Sequence, residues 1–115
     1  MKENLLNDKS IAFATRIVGL YQYLTKNKKE NIISKQIMRS GTSIGANINE
    51  ANYAQSKADF VSKLHIALKE SAETEYWLIL LTKSNYITES LSKSLMADCL
   101  EIKRLLVSSI NTAKA

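Results

Sequence analysis

Apolar residues recur every three or four positions along four segments of the chain, and polar, aperiodic stretches separate these segments. This spacing is typical of amphipathic helices, each of which buries one apolar face. Because short connections join antiparallel neighbours, we predict an all-α fold, an antiparallel up-down-up-down four-helix bundle. At 115 residues, the chain is long enough for one such domain, residues 1–115, and too short for two. The four helices are predicted from about Asp8 or Lys9 to Thr25 with Asn7 or Asp8 as N-cap, from Ile32 to Tyr53, from the cap Ser56 to Ser84, and from the cap Thr88 to Asn111.

The second predicted helix carries an apolar edge beside a polar edge. With 3.6 residues per turn, we expect part of the polar edge to be buried along with the apolar one. Gly41 and Gly45 each cost about 1 kcal/mol relative to alanine inside a helix, so we expect a neighbouring helix to approach closely there. The apolar edge consists of Ile33, Ile37, Ile44, Ile48 and Ala51, and the polar edge of Ser40, Ser43, Asn47 and Glu50.

The third predicted helix places a carboxylate, Glu75, near the middle of its apolar stripe. An unpaired buried charge is strongly destabilising, so Glu75 is expected to have a partner. The candidates lie on the second helix and are Arg39, Ser40, Ser43 and Asn47. The alternative is a small roll of the third helix that lets Glu75 reach water.

The first, third and fourth helices carry more apolar surface than one bundle core requires. Monomers rarely expose apolar patches of several hundred Å², so this surplus predicts self-association. The predicted interface residues point away from the core stripe and are Trp77, Leu80, Met96, Leu100 and Val107.

Residues that would support an enzyme are sparse. The only histidine, His65, has no glutamate three residues before it, which excludes the Glu-x-x-His pairs of di-metal bundles. The only cysteine, Cys99, has no base nearby in the sequence and is interpreted as a packed residue. We therefore predict a protein that is not an enzyme and has no metal and no cofactor. A site shared between subunits is the one enzymatic alternative.

The amino terminus lacks the apolar run of a signal peptide, and the apolar run 76–81 is too short to span a bilayer. With one cysteine, no intrachain disulfide forms. We therefore expect a cytoplasmic protein without membrane contact.

The net charge of +5 and a pI near 9.4 favour acidic partners. In the predicted topology the first and third connections share one end of the bundle, so their lysines converge. Repeated around an oligomer, such a basic rim would bind phosphate backbones without reading sequence. The alternative is a solvated lysine surface that maintains solubility. The rim consists of Lys26, Lys28, Lys29 and Lys83, with Lys35 one turn further in.

One motif suggests a family. Arg39, Ser40, Ser43, Asn47 and Glu50, followed on the next helix by Ser71 and Glu75, resemble the pattern of small proteins encoded in intervening sequences of bacterial 23S ribosomal RNA genes. These proteins are sometimes called S23 ribosomal proteins and are related to accessory variability proteins of diversity-generating retroelements. The resemblance implies a four-helix bundle that assembles into a homopentamer. It also implies that the motif residues have a structural role, as a polar network between helices or subunits.

In the retroelement relatives the assembly is basic, binds nucleic acid and engages a reverse transcriptase. The resulting hypothesis is a homo-oligomer, expected to be a pentamer, that binds RNA or DNA, with a nucleic-acid enzyme as a further partner. The alternative hypothesis is a structural or protein-interaction scaffold without nucleic-acid binding.

Overall fold

The computed structural model describes residues 2–115 and contains four helices: α1 (Lys2–Lys26), α2 (Ile33–Ala51), α3 (Lys57–Lys83) and α4 (Glu89–Lys114). Contacts join α1 to α2, α2 to α3, α3 to α4, and α4 back to α1. Over the described residues no strand occurs. The predicted all-α four-helix bundle is confirmed.

The helix starts test the predicted caps. Ser56 Oγ accepts the Asp59 N–H at 3.1 Å and Thr88 Oγ1 accepts the Leu91 N–H at 3.1 Å, which confirms both caps. The cap predicted at Asn7 or Asp8 was wrong, because α1 begins at Lys2 and both residues lie inside it. Leu6 is 2% exposed, so the part of α1 that precedes the predicted cap is packed against the core through this residue.

The carboxyl-terminal end of α4 also extends past its predicted limit. The helix continues from Asn111 to Lys114. Ile110 is only 4% exposed, so the last turns are attached to the core.

The apolar edge of α2 faces the core as predicted. Ile37, Ile44, Ile48 and Ala51 are buried, and Ile33 is half-buried against them. Ser40, within the same face, is fully buried.

Gly41 and Gly45 allow α1 to approach α2 closely, which confirms the predicted reason for both. A Cβ atom on Gly41 would lie 2.9 Å from Ile17 Cγ1, and one on Gly45 would lie 3.1 Å from Ser10 Oγ. Both distances are shorter than ordinary van der Waals contact, so a side chain at Gly41 would displace Ile17 and one at Gly45 would displace Ser10.

Two left-handed residues end α1 and α3 at the same end of the bundle. Lys29 has φ 56° and Asn85 has φ 64°. Beyond α3, the Asn85 N–H donates to the Thr82 carbonyl and the Tyr86 N–H to the Leu81 carbonyl, which is the Schellman pattern. These sharp stops put connections 27–32 and 84–88 side by side in the antiparallel topology.

Candidate nucleic-acid interface

The end of the bundle that holds connections 27–32 and 84–88 is rich in lysine, and we call it the lysine end. All five lysines predicted for the basic rim are exposed. Within residues 5–115, none of them belongs to an ion pair. The lysine end consists of Lys26, Lys28, Lys29, Lys35 and Lys83.

Glu30, the acidic residue of connection 27–32, points away from the lysines and into the protein. It is 7% exposed. Its carboxylate accepts the backbone N–H groups of Ile32 at 3.1 Å, Ile33 at 2.9 Å and Ser34 at 2.6 Å. Burial raises the pKa of Glu30, but these hydrogen bonds together lower it by more than burial raises it. The pKa of Glu30 therefore lies below its ordinary value. The negative charge therefore lies at the amino-terminal end of α2, where it interacts favourably with the helix dipole.

The contact of Lys28 is aromatic. Its Nζ lies 5.9 Å from the centroid of the Tyr23 ring, which fits a cation–π interaction. Tyr23 is 39% exposed. The ring orients the ammonium group without cancelling its charge.

On the sides of the bundle, by contrast, several cations have carboxylate partners. Lys9 pairs with Glu101 at 2.7 Å and Arg16 with Asp98 at 2.7 Å. Further pairs are Lys63 with Glu50 at 3.2 Å and Lys103 with Glu75 at 2.8 Å. The lysines of the lysine end differ from these four cations, because none of them has a carboxylate at ion-pair distance among the described residues.

The motif on α2 bonds α3 through Arg39, Ser40 and Glu50, of which Glu50 pairs with Lys63 at 3.2 Å. Arg39 pairs with Glu70 at 3.3 Å and also with Glu73, which accepts the Trp77 indole N–H at 3.0 Å. The Trp77 and Arg39 hydrogen bonds hold the pKa of Glu73 below its ordinary value. Beneath this surface network, the Ser40 and Thr74 hydroxyls are hydrogen-bonded at 2.9 Å.

The remaining motif residues make mostly local contacts. Ser43 Oγ donates to the Arg39 carbonyl at 2.6 Å, and Asn47 Nδ2 donates to the Ser43 carbonyl at 2.8 Å, both within α2. Ser71 is buried and donates to the Ala67 carbonyl at 2.9 Å within α3. Only some of the motif residues therefore form the hydrogen bonds and ion pairs that join α2 to α3.

The expected α2 partner for Glu75 was wrong. Glu75 Oε1 lies 2.8 Å from Lys103 Nζ on α4, and the two side chains are 22% and 29% exposed. Thr74, which sequence reasoning passed over, occupies the inward position beside Ser40. Adjacent residues lie about 100° apart around a helix, so the rotation of α3 about its own axis determines which of the two faces α2.

Cys99 and His65 lie in opposite environments. Cys99 is fully buried, and its Sγ lies 3.6 Å from the Ser71 carbonyl. Burial, followed by the nearby Glu75 charge, raises the pKa of the Cys99 thiol to about 12. His65 is exposed. In the part of the chain that the structure describes, no three potential metal ligands cluster together.

The predicted interface residues divide into two groups. Leu100 and Val107 on α4 are 41% and 43% exposed. Trp77, Leu80 and Met96 are half-buried. Tyr76 and Ile79, which lie on α3 beside Trp77 and Leu80, are 57% and 46% exposed but were not among the predicted interface residues. The available signal was the unbroken apolar run 76–81, because a helix cannot bury all of its sides against one core.

None of the helices described is long and apolar enough to cross a membrane.

Comparisons with known proteins place these features in a family. The sequence model of the 23S rRNA-intervening sequence proteins matches residues 2–108. A crystal structure of a protein of unknown function from the S23 ribosomal protein family of Bacteroides thetaiotaomicron is 58% identical and superposes with a TM-score of 0.96. The match covers 96% of this chain and 99% of that one. No curated protein matches the chain significantly.

Proposed function

The chain belongs to the family of 23S rRNA-intervening sequence proteins, and we propose that it is a cytoplasmic, non-enzymatic homo-oligomer that binds RNA or DNA through its lysine end. The expected assembly is a pentamer. In this proposal the bound nucleic acid, or the assembly itself, is presented to a nucleic-acid enzyme as a further partner.

The observation that carries the proposal is the uncompensated charge of the lysine end. Five lysines are exposed there without an ion-pair partner among the described residues, while the adjacent Glu30 carboxylate is bonded to backbone N–H groups. Exposed ammonium groups bind phosphates by releasing condensed counterions, which requires no fixed geometry. A ring of subunits would repeat this surface and add the fields of its members.

Self-association is supported by the exposed apolar side chains of α3 and α4. Tyr76, Ile79, Leu100 and Val107 are all more than two-fifths exposed. Removing such side chains from water favours association by roughly 25 cal/mol per Å² of apolar area, before the entropic cost of association is subtracted.

Charge reversal with a matched control tests the binding proposal. The test variant is the triple substitution Lys26→Glu, Lys28→Glu and Lys29→Glu. The control is Lys57→Glu, Lys69→Glu and Lys114→Glu, which changes the net charge equally at exposed lysines away from the lysine end. Fluorescence anisotropy with a labelled RNA measures the affinity of each at several salt concentrations.

The proposal expects the test variant to lose most of its affinity and the control variant to lose much less. The slope of log K against log salt concentration should also become shallower by about 2 in the test variant. Each phosphate contact on a single strand releases about 0.7 counterions, and three contacts are removed. Equal losses in the two variants would show that overall charge, and not the lysine end, governs binding.

The exposed apolar residues also favour a second candidate, a protein-interaction scaffold. Leu100 and Val107 lie on one side of α4 and border a shallow groove together with Arg104. If this surface recruits another protein, a pull-down after nuclease treatment recovers one stoichiometric partner, and Leu100→Ser with Val107→Ser abolishes the recovery. Under the nucleic-acid proposal, nuclease releases any protein that is recovered only through bound RNA or DNA.

A further inference from the structure

A cleft between α1 and α4 opens beside the lysine end. Its volume is about 230 Å³, smaller than the roughly 300–1,000 Å³ of sites for drug-sized ligands. It therefore has room for one small group. The cleft is lined by Arg16, Gly19, Leu20, Tyr23, Leu91 and Leu95.

Gly19 keeps this cleft open. Unlike Gly41 and Gly45, it has no atom within 4 Å of the position that a Cβ would occupy. Packing within the chain therefore does not explain a glycine in the middle of α1, where alanine would stabilise the helix. The glycine leaves space and exposes a stretch of backbone along the cleft wall.

The lining combines an apolar floor with an aromatic edge. Leu20 and Leu95 are 5% and 1% exposed, so the floor is part of the core. Tyr23 forms the edge nearest the lysine end, and 39% of it is exposed. The other end is closed by Arg16, whose guanidinium is held by Asp98 at 2.7 Å.

Positive charge flanks the aromatic edge. Lys28 Nζ lies 5.9 Å from the Tyr23 ring centroid. Lys26 follows Tyr23 by three residues on the same helix, so it projects from the same side of α1 and is exposed. An apolar slot with an aromatic wall and ammonium groups at its mouth complements a base attached to a phosphate chain.

We propose that this cleft accepts one unstacked base of a single-stranded nucleic acid, with the base against Tyr23 and the neighbouring phosphates on Lys26 and Lys28. This inference rests on the proposed function and specifies its substrate as single-stranded. Bases inside a duplex are stacked and paired, so they do not enter such a slot. Stacking is tolerant of base identity, so no sequence preference is required.

Two variants test the cleft in different ways. Tyr23→Leu removes the aromatic ring and keeps an apolar side chain. Gly19→Leu fills the cleft and leaves Tyr23 and Lys28 in place; its Cβ meets no atom within 4 Å, and leucine favours the helix. Tyr53→Leu is the control, because Tyr53 is 81% exposed in the connection at the opposite end of the bundle.

Anisotropy titrations use a labelled oligouridine and a labelled RNA duplex of equal length, with circular-dichroism melting as the check on folding. We expect both cleft variants to bind the single strand about tenfold more weakly, as for loss of one stacking contact. Their affinity for the duplex, and both affinities of Tyr53→Leu, should match wild type.

If both cleft variants bind the single strand as tightly as wild type, the cleft does not accept a base. That result would not contradict nucleic-acid binding by the lysine end. Equal losses on single strand and duplex would also overturn the cleft proposal, because a base slot discriminates between them. If the wild-type protein binds neither probe, the proposed function is wrong. This outcome is seen in the wild-type titration alone, so it is distinguishable from a failure of the cleft, which is seen only in the variants.

Discussion

The hydroxyls of Ser40 and Thr74 lie 2.9 Å apart and join α2 to α3 inside the core, where neither side chain is exposed to solvent. Thr74 Oγ1 also lies 2.8 Å from the Glu70 carbonyl. In an apolar interior such a pair is stabilising only as long as both members are present, since each alone is a buried polar group.

Thr74→Val therefore should lower the free energy of unfolding by about 1–3 kcal/mol, because Ser40 loses its partner on α3. The double variant Ser40→Ala with Thr74→Val should be less destabilised than the sum of the two single variants. Urea denaturation of all four proteins measures this coupling. Simple additivity would mean that the hydrogen bond contributes nothing to the packing of α2 on α3.

The glycines of α1 and α2 should respond oppositely to alanine. Gly41→Ala places a Cβ 2.9 Å from Ile17 Cγ1, and overpacking of this kind costs about 1–3 kcal/mol, which offsets or exceeds the helix-propensity gain of about 1 kcal/mol. Gly19→Ala meets nothing within 4 Å and should stabilise the protein by up to about 1 kcal/mol. Thermal melting distinguishes the two; a stabilised Gly41→Ala protein would contradict the close contact between α1 and α2.

The sequence was sufficient for the parts of the fold that depend on local chemistry. The caps Ser56 and Thr88 and the isoleucine edge of α2 follow from hydrogen-bond geometry and helical periodicity, and the structure confirms them. The close approach at Gly41 was also predictable, because Gly41 and Gly45 lie four residues apart beside the isoleucine edge, whereas Gly19 is isolated and meets no atom within 4 Å.

Other features depend on helix rotation and tertiary contacts that periodicity does not determine. Glu75 and Thr74 are adjacent and lie about 100° apart around α3. The rotation of α3 about its axis therefore determines that Thr74 contacts Ser40 and Glu75 contacts Lys103. The role of Glu30 at the start of α2 was not predicted, because Glu30 lies in a connection, two residues before the N-cap position. The cleft at Gly19 requires two helices that are distant in sequence, and only the structure brings Tyr23 and Leu91 together.

Glu30 should make stability depend on pH. Its pKa is lowered in the folded chain, so its stabilising contribution is complete above the unfolded value of about 4.3 and is lost as the pH falls through the folded pKa. At neutral pH, Glu30→Gln should cost about 1–2 kcal/mol, because an amide is a weaker acceptor for three backbone N–H groups. Urea titrations from neutral to acidic pH should show this difference shrinking. A difference that stays constant with pH would mean that the Glu30 charge does not stabilise α2.

The most direct test of the whole account is light scattering behind size-exclusion chromatography, at low and moderate salt, with and without a generic single-stranded RNA. We expect a mass near five times the chain mass of 12.9 kDa, with a further RNA-dependent increase that disappears at moderate salt. A monomer whose mass does not change with RNA at either salt concentration would contradict both the assembly and the lysine end.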